Sequence, residues 1–355
     1  MKTLVIERDA LKNNIGVVKE RAGQAVIYGV LTGDGGGAGV VPLAHLLRDE
    51  GITRFAVSEI REAELLREDG FEDEEILMLR STTDREELER LVDLNVVCTI
   101  SSVDTGMALN ALAENRSTVA EAHIQVDTGM GFGGFLVGEP EKILLAYRSL
   151  PNVALSGIYT QLHAAKANDP EAAQQLKQFA QVLDIVHKAG FETGVVHAAG
   201  SFALLHNDDA RLDGVRAGSA ILGRCRRTKD DHLKTVGFGE VPLAEVRWLP
   251  KGHTVGTERP IVLKKPTRVG VMPVGYLNGY GVTRPRETGL LGFLRAWRQA
   301  RSRTVRIGDQ RARLLGPIGA AETLLDVTDL KCSAGDLAVF DLDPLFAKGC
   351  QIEYR

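Results

Sequence analysis

With 355 residues, 44% of them hydrophobic and 25% charged, the chain has the make-up of an ordinary globular protein too long for one small domain. A formal charge of -4 at pH 7 argues against a nucleic-acid groove and against an acidic-tail function. No run approaches the roughly 20 apolar residues that span a bilayer, and the start, Met1-Lys2-Thr3-Leu4-Val5-Ile6-Glu7-Arg8, has no apolar signal core. The expectation is a cytoplasmic protein with neither membrane nor nucleic acid as a partner.

In chain order, strand character appears first at Thr3–Glu7, then short β-rich runs alternate with amphipathic stretches. The runs are Ala25–Leu31, Arg54–Val57, Glu75–Leu79, Val97–Ile100, Ala122–Val126, Ala154–Thr160, Thr193–His197 and Gly214–Leu222. Helical patterns cover Leu43–Glu50, Glu59–Glu68, Arg85–Asp93, Val103–Ala113 and Ala172–Ala189; the last carries Leu176, Phe179, Val182, Leu183 and Val186 at helical spacing. Eight strands with helices between them predict an α/β fold, a (β/α)8 TIM barrel, with chemistry at the C-terminal strand ends. After a polar linker, Lys229-Asp230-Asp231-His232, the pattern turns to β runs from Ala244–Trp248 to Leu337–Phe340, which predicts a C-terminal mostly-β domain. The predicted boundaries are 9–228 for the barrel and 229–355, joined by strand 1–8, for the β domain. Arg284–Arg303 is a basic stretch with an apolar centre, read either as a contact for phosphate, membrane or an acidic partner, or as a loop with a solvated helix. Cys98, Cys225, Cys332 and Cys350 lack C-x-x-C spacing and are expected as free thiols; no His/Cys/Asp/Glu cluster has metal-ligand spacing, so no metal is expected.

Several segments, in order along the whole chain, resemble the alanine racemase family, fold type III pyridoxal-phosphate (PLP) enzymes. They are Ile6-Glu7-Arg8-Asp9-Ala10-Leu11-Lys12-Asn13-Asn14, Arg54-Phe55-Ala56-Val57-Ser58 with Glu62-Ala63, and Val126-Asp127-Thr128-Gly129-Met130-Gly131. To these are added His197-Ala198-Ala199-Gly200-Ser201, Val215-Arg216-Ala217-Gly218 and Pro273-Val274-Gly275-Tyr276-Leu277-Asn278-Gly279-Tyr280. The resemblance implies a barrel, a C-terminal β domain and a head-to-tail homodimer. It also implies a PLP lysine within V-V-K-A-N-A-Y-G-H-G, where this chain reads Val26-Ile27-Tyr28-Gly29-Val30-Leu31-Thr32-Gly33-Asp34-Gly35. Tyr28 takes the lysine's place, and a phenol cannot form an imine. Gln125, Phe132, Gln161 and Gly319-Ala320-Ala321 also depart from the family pattern.

What the resemblance retains is a phosphate cup at Ser201, Gly218 and Ser219, with Tyr354 as a further contact, Arg216 facing the pyridine and His197 behind it. A hydroxyl with glycine-rich backbone at a helix start suits an anion. Tyr276 falls on the family's second acid–base position, or is an interface aromatic. His163 is a replacement base, with Lys166 as a nearby cation, or an exposed loop histidine. Tyr28 is a new catalytic phenol or an aromatic filling vacated cofactor space. Gly33–Gly39 reads as a flexible loop capping the barrel mouth, or as an anion loop without the Walker ending. The expectation is a racemase-like protein without a covalent cofactor, holding PLP or another phosphorylated ligand non-covalently if at all. Such a chain would bind a small anionic or amino-acid-like ligand or a protein partner as a sensor, scaffold or regulator. The alternatives are an enzyme of altered acid–base chemistry and a racemase using unanchored PLP.

Overall fold

The computed structural model describes residues 1–163, 169–225, 231–256, 260–283 and 303–355. It divides into two compact units, one of Ala10–Thr235 and one of Met1–Asp9 with Val236–Arg355. Strand β1 (Thr3–Ile6) leads into helix α1 (Arg8–Ala22). The first unit is then built from β2 (Val26–Val30), α2 (Val40–Asp49), β3 (Arg54–Val57), α3 (Ile60–Glu68), β4 (Glu75–Met78), α4 (Arg85–Asp93) and β5 (Cys98–Ile100). It continues through α5 (Val103–Asn115), β6 (Ala120–Asp127), a short β7 (Phe135–Leu136), α6 (Pro140–Ser149), β8 (Val153–Thr160) and α7 (Pro170–Lys188). It ends with β9 (Val195–Ala199), α8 (Ser201–His206) and β10 (Gly214–Ala217).

The strands run parallel in the order β4-β3-β2-β10-β9-β8-β6-β5. A parallel bridge between Leu77 and Val97 joins the two ends of that order, with Val97 N–H donating to Ile76 O and Met78 N–H to Val97 O, both at 2.9 Å. The result is the barrel that the alternation of short apolar runs and amphipathic helices required. Each helix buries one stripe: Leu88 and Leu91 on α4, Phe179, Val182 and Val186 on α7. Local signals set the helix starts: Asp84 accepts from Glu87 N–H, Ser102 from Thr105 N–H and Asp169 from Glu171 N–H.

Two sequence expectations are corrected here. The apolar run Gly214–Leu222 is strand only to Ala217, because Gly218 approaches the β2 backbone where a Cβ would lie 3.1 Å from Val30 O. From there the chain turns, with Leu222 N–H returning to Gly218 O at 3.3 Å. The glycine-rich run is a hydrogen-bonded turn and not a loose cap. Gly33, Asp34, Gly35 and Gly36 have φ of 68°, 56°, 63° and 63°, a left-handed helical turn that only a glycine-rich sequence adopts cheaply. Asp34 N–H donates to Glu62 Oε1, while Asp34 Oδ1 accepts from Val40 N–H and so starts α2.

Asn14, fully buried on α1, donates to Ile221 O at 2.8 Å and Lys234 O at 2.7 Å and accepts Lys234 N–H at 2.7 Å. That three-way contact keeps the segment leading to Thr235 with the barrel unit.

In the second unit the strands are β11 (Phe238–Pro242), β12 (Glu245–Leu249), β13 (Thr254–Val255), β14 (Ile261–Val262) and β15 (Thr267–Met272). They continue with β16 (Thr304–Ile307), β17 (Gln310–Leu314), β18 (Thr323–Asp326), β19 (Leu337–Asp341) and β20 (Gln351–Tyr354). A mostly antiparallel sheet has the order β12-β15-β18-β17-β16-β19-β11-β1-β20. The N-terminal strand thus pairs into it, antiparallel to β11 and parallel to β20. All four cysteines are free thiols. The basic stretch from 284 to 302 lies outside the described residues. Among the described residues no helix is long and apolar enough to cross a membrane.

Candidate functional site at the barrel mouth

Strand β6 shows how the sequence loads the barrel. Ala122, Ile124 and Val126 alternate with His123, Gln125 and Asp127, so the second parity is polar throughout. At the end of that strand Asp127 Oδ1 gathers the N–H groups of Gly129, Met130 and Gly131 within 3.1 Å. The V-D-T-G-M-G segment is thereby a carboxylate-centred turn, and Asp127 is occupied in shaping it.

Inside the barrel a polar chain begins at Arg216 on β10, which is 4% exposed. One guanidinium nitrogen donates to His197 Nδ1 at 2.5 Å, and the other to Thr160 O at 2.7 Å and Gln161 Oε1 at 2.9 Å. A guanidinium only donates, so His197 Nδ1 must be an acceptor and its proton resides on Nε2. That Nε2–H donates onward to His123 Nδ1 at 3.0 Å. Tyr159 and Tyr28 stack on the His197 ring, with centroids at 4.9 and 5.2 Å. None of the hydrogen-bond acceptors of Arg216 is a carboxylate, so the cluster holds a buried positive charge balanced by dipoles alone.

Burial, together with the Arg216 and His123 neighbours, holds His197 well below its ordinary range. Burial, then Arg54 and Arg216, pushes His123 down to about 3. Burial brings Arg216 down to about 10, still charged at neutral pH. In the unfolded chain both histidines take a proton near pH 6.5, and in the folded chain His123 stays neutral until about 3. Between those values the unfolded state binds more protons, so stability falls as pH drops below about 6.5. Each histidine contributes a slope of about 1.4 kcal/mol per pH unit. Urea midpoints taken from pH 7 to pH 4.5 should show that slope reduced by about one proton in His123→Gln. Equal slopes would mean that His123 is protonated in the native barrel.

Tyr28 lies in the same interior, with no solvent exposure. Its hydroxyl donates to Glu75 Oε1 at 2.7 Å, and Glu75 Oε2 pairs with Arg54 Nε at 3.1 Å. Arg54 and Glu75 open β3 and β4, so the phenol is tied toward the N-terminal end of those strands. Burial, and next the Glu75 charge, raise the Tyr28 pKa far above the usual phenol range. In this setting Tyr28 is a hydrogen-bond donor that packs against Ala56, Leu77 and Val97, and a poor base.

Ser201, the first residue of α8, accepts N–H bonds from Gly218 and Ala220 through Oγ, both at 3.1 Å. The hydroxyl thus holds the turn that carries Ser219, and its own proton remains to be donated. His163 lies on a cleft with Thr128, Glu171 and Gln175; its backbone N–H donates to Gln175 Oε1 at 2.8 Å. Gln175 also donates to Thr128 Oγ1 and Gln161 O, at 3.2 and 3.1 Å. Lys166, named as the cation near His163, lies outside the described residues. Tyr276 and Tyr354 belong to the second unit. Tyr276 is 44% exposed on a short turn with its N–H on Gly319 O, and the Tyr354 ring lies 5.5 Å from the Arg8 guanidinium.

Sequence reasoning missed Glu75, His123, Gln175 and Tyr159. For His123 the polar parity of β6 was an available signal; for Glu75, the last residue of the acidic run Glu72-Asp73-Glu74-Glu75, nothing set it apart from its neighbours.

Residues 6–225 match the family model described as "Alanine racemase, N-terminal domain", and residues 240–344 match "Alanine racemase, C-terminal domain". The alanine racemase of Carboxydothermus hydrogenoformans is 32% identical over 282 residues, 78% of this chain and 75% of that protein. The broad specificity amino-acid racemase of Vibrio parahaemolyticus is 28% identical over 92% of this chain and 77% of its own length. Among solved structures, alanine racemase from D-cycloserine-producing Streptomyces lavendulae superposes with a TM-score of 0.86 at 21% identity, covering 100% of this chain and 97% of that one. Alanine racemase from Bartonella henselae with covalently bound pyridoxal phosphate gives 0.82 at 21%, covering 100% and 99%.

Proposed function

The chain belongs to the alanine racemase family, and on that premise we propose a member without the covalent cofactor anchor that binds a small anionic or amino-acid-like ligand at the barrel mouth. One observation carries the reading. Among the described residues of the barrel unit every lysine, namely Lys12, Lys19, Lys142, Lys177, Lys188 and Lys234, is exposed, while the interior position on β2 is a phenol. A Schiff base needs a primary amine beside the aldehyde, so this donor set does not fit PLP held covalently.

It does suit an anion held by charge and hydrogen bonds. Ser201 would donate its hydroxyl proton, Gly218 and Ser219 would shape the cup, and the uncompensated charge of Arg216, backed by His197, would favour a negative ligand. Tyr354 is a further proposed contact. Tyr276 and His163 are held as acid–base candidates under the second reading, an enzyme of altered chemistry or a racemase using unanchored PLP; the racemase names of the relatives favour it. A homodimer and a cytoplasmic setting complete the proposal, supported by the family likeness.

The test compares ligands and looks for a bond. Calorimetric titration should give PLP and pyridoxamine phosphate affinities within about threefold of each other, since no imine adds to either. Borohydride treatment after PLP should leave no reduced adduct in the barrel interior, and added PLP should yield no D-alanine from L-alanine. A yellow adduct on a barrel side chain, or measurable racemisation, refutes the proposal.

A further inference from the structure

We infer that Glu75 is a specificity-determining residue that closes the β2 anchor position to imine chemistry, so that the loss of the anchor is set by two positions and not by Tyr28 alone. The inference rests on the reading above, in that Tyr28 is taken as the anchor position, but it concerns a residue that reading does not use.

The geometry is a short chain across three neighbouring strands. Tyr28, Arg54 and Glu75 follow one another in register, Tyr28 opposite Arg54 and Arg54 opposite Glu75. The carboxylate bridges its two neighbours, accepting the phenol at 2.7 Å and the guanidinium at 3.1 Å. Arg54 also lies 5.9 Å from the Tyr28 ring centroid, so each of the three side chains touches the other two. Lysine and tyrosine side chains have nearly equal reach. A lysine at position 28 therefore brings its nitrogen to where the phenol oxygen now meets Glu75. A carboxylate there binds the ammonium form, which has no lone pair with which to attack a carbonyl carbon. It also draws the nitrogen toward the start of β4, away from the strand ends where ligands of such barrels bind. An amide at position 75 keeps the shape of the site and removes the charge that holds the proton.

The experiment uses the full-length protein in four forms: wild type, Tyr28→Lys, Glu75→Gln and the double variant Y28K/E75Q. Each is incubated with PLP at pH 7.5 and reduced with borohydride. The amine nitrogen bonds to the aldehyde carbon with loss of water, and hydride then adds to that carbon, leaving a secondary amine that peptide mass mapping locates. The double variant should carry at least about tenfold more adduct at position 28 than Tyr28→Lys, the difference expected when a nearby anion raises the amine's pKa by one unit or more. Equal labelling of the two refutes the role of Glu75, as does a folded double variant with none.

If the double variant does not fold, as read by its circular dichroism and melting, Y28K/E75A takes its place in the comparison. Its labelling at position 28 should likewise exceed that of Tyr28→Lys by at least about tenfold, and equal labelling overturns the inference. Failure of the underlying reading is separate and visible in wild type, as an adduct on some other barrel side chain or as no binding of inorganic phosphate or PLP by calorimetry.

Discussion

Replacing Arg216 by methionine is expected to destabilise the protein by about 3 kcal/mol or more, seen as a lower urea midpoint, and to abolish anion binding by calorimetry. Methionine matches the apolar stem of the arginine and removes the cost of a desolvated charge, which works in the variant's favour. Against that, Thr160 O and His197 Nδ1 lose their donor in an interior without exposure to water, and the half-buried Gln161 Oε1 loses one as well. Each buried acceptor left without a donor costs about 1–3 kcal/mol, so the loss outweighs the relief. The variant also frees His197 to exchange tautomers and breaks the ordered chain to His123. Arg216→Lys should recover only part of the stability, because a single ammonium cannot reproduce the fork. An unchanged midpoint in Arg216→Met would show that the guanidinium is a burden tolerated only for ligand binding.

The second large effect is expected at Asn14, far from any chemistry. Asn14→Ala removes one acceptor and two donors that meet Ile221 O, Lys234 O and Lys234 N–H, all at 2.8 Å or less. The loss is expected to be about 3 kcal/mol, measured by urea denaturation, with hydrogen exchange at Lys234 rising to match. Asn14→Asp should be no milder, since it keeps the acceptor for Lys234 N–H but turns a second oxygen on the carbonyls of Ile221 and Lys234 in a fully buried site. If exchange at Lys234 is unaffected in Asn14→Ala, the segment up to Thr235 is held by something else.

The barrel was legible because parallel strands buried on both faces read as short apolar runs. Arg54–Val57 and Arg85–Asp93 needed nothing beyond their own residues to be placed. What escaped was structure fixed by partners distant in sequence. β11, Phe238–Pro242, carries a glycine and a proline and looks like a turn, yet it is a strand because β1 and β19 flank it. β20, Gln351–Tyr354, has three exposed residues and is recruited by β1. The site divides in the same way. Ser201, Gly218, Arg216 and His197 could be named from motif resemblance, and the structure places Ser201 with Gly218 and Arg216 with His197. The absence of an amine on β2 was also plain from the residues. The partner of Tyr28 was not, because a hydrogen bond spanning 47 positions leaves no local mark on either end.

The backbone after β2 has a stereochemical consequence of its own. From Gly33 to Gly36 it traces the reflection of an ordinary helical turn, so its preference for residue handedness is inverted relative to the rest of the barrel. Building blocks of the opposite chirality would rest there without torsional cost, while every natural side chain but an asparagine or aspartate is disfavoured. The segment that fixes Asp34 against Glu62 is therefore closed to most substitution, and sequence drift in this protein has to go around it.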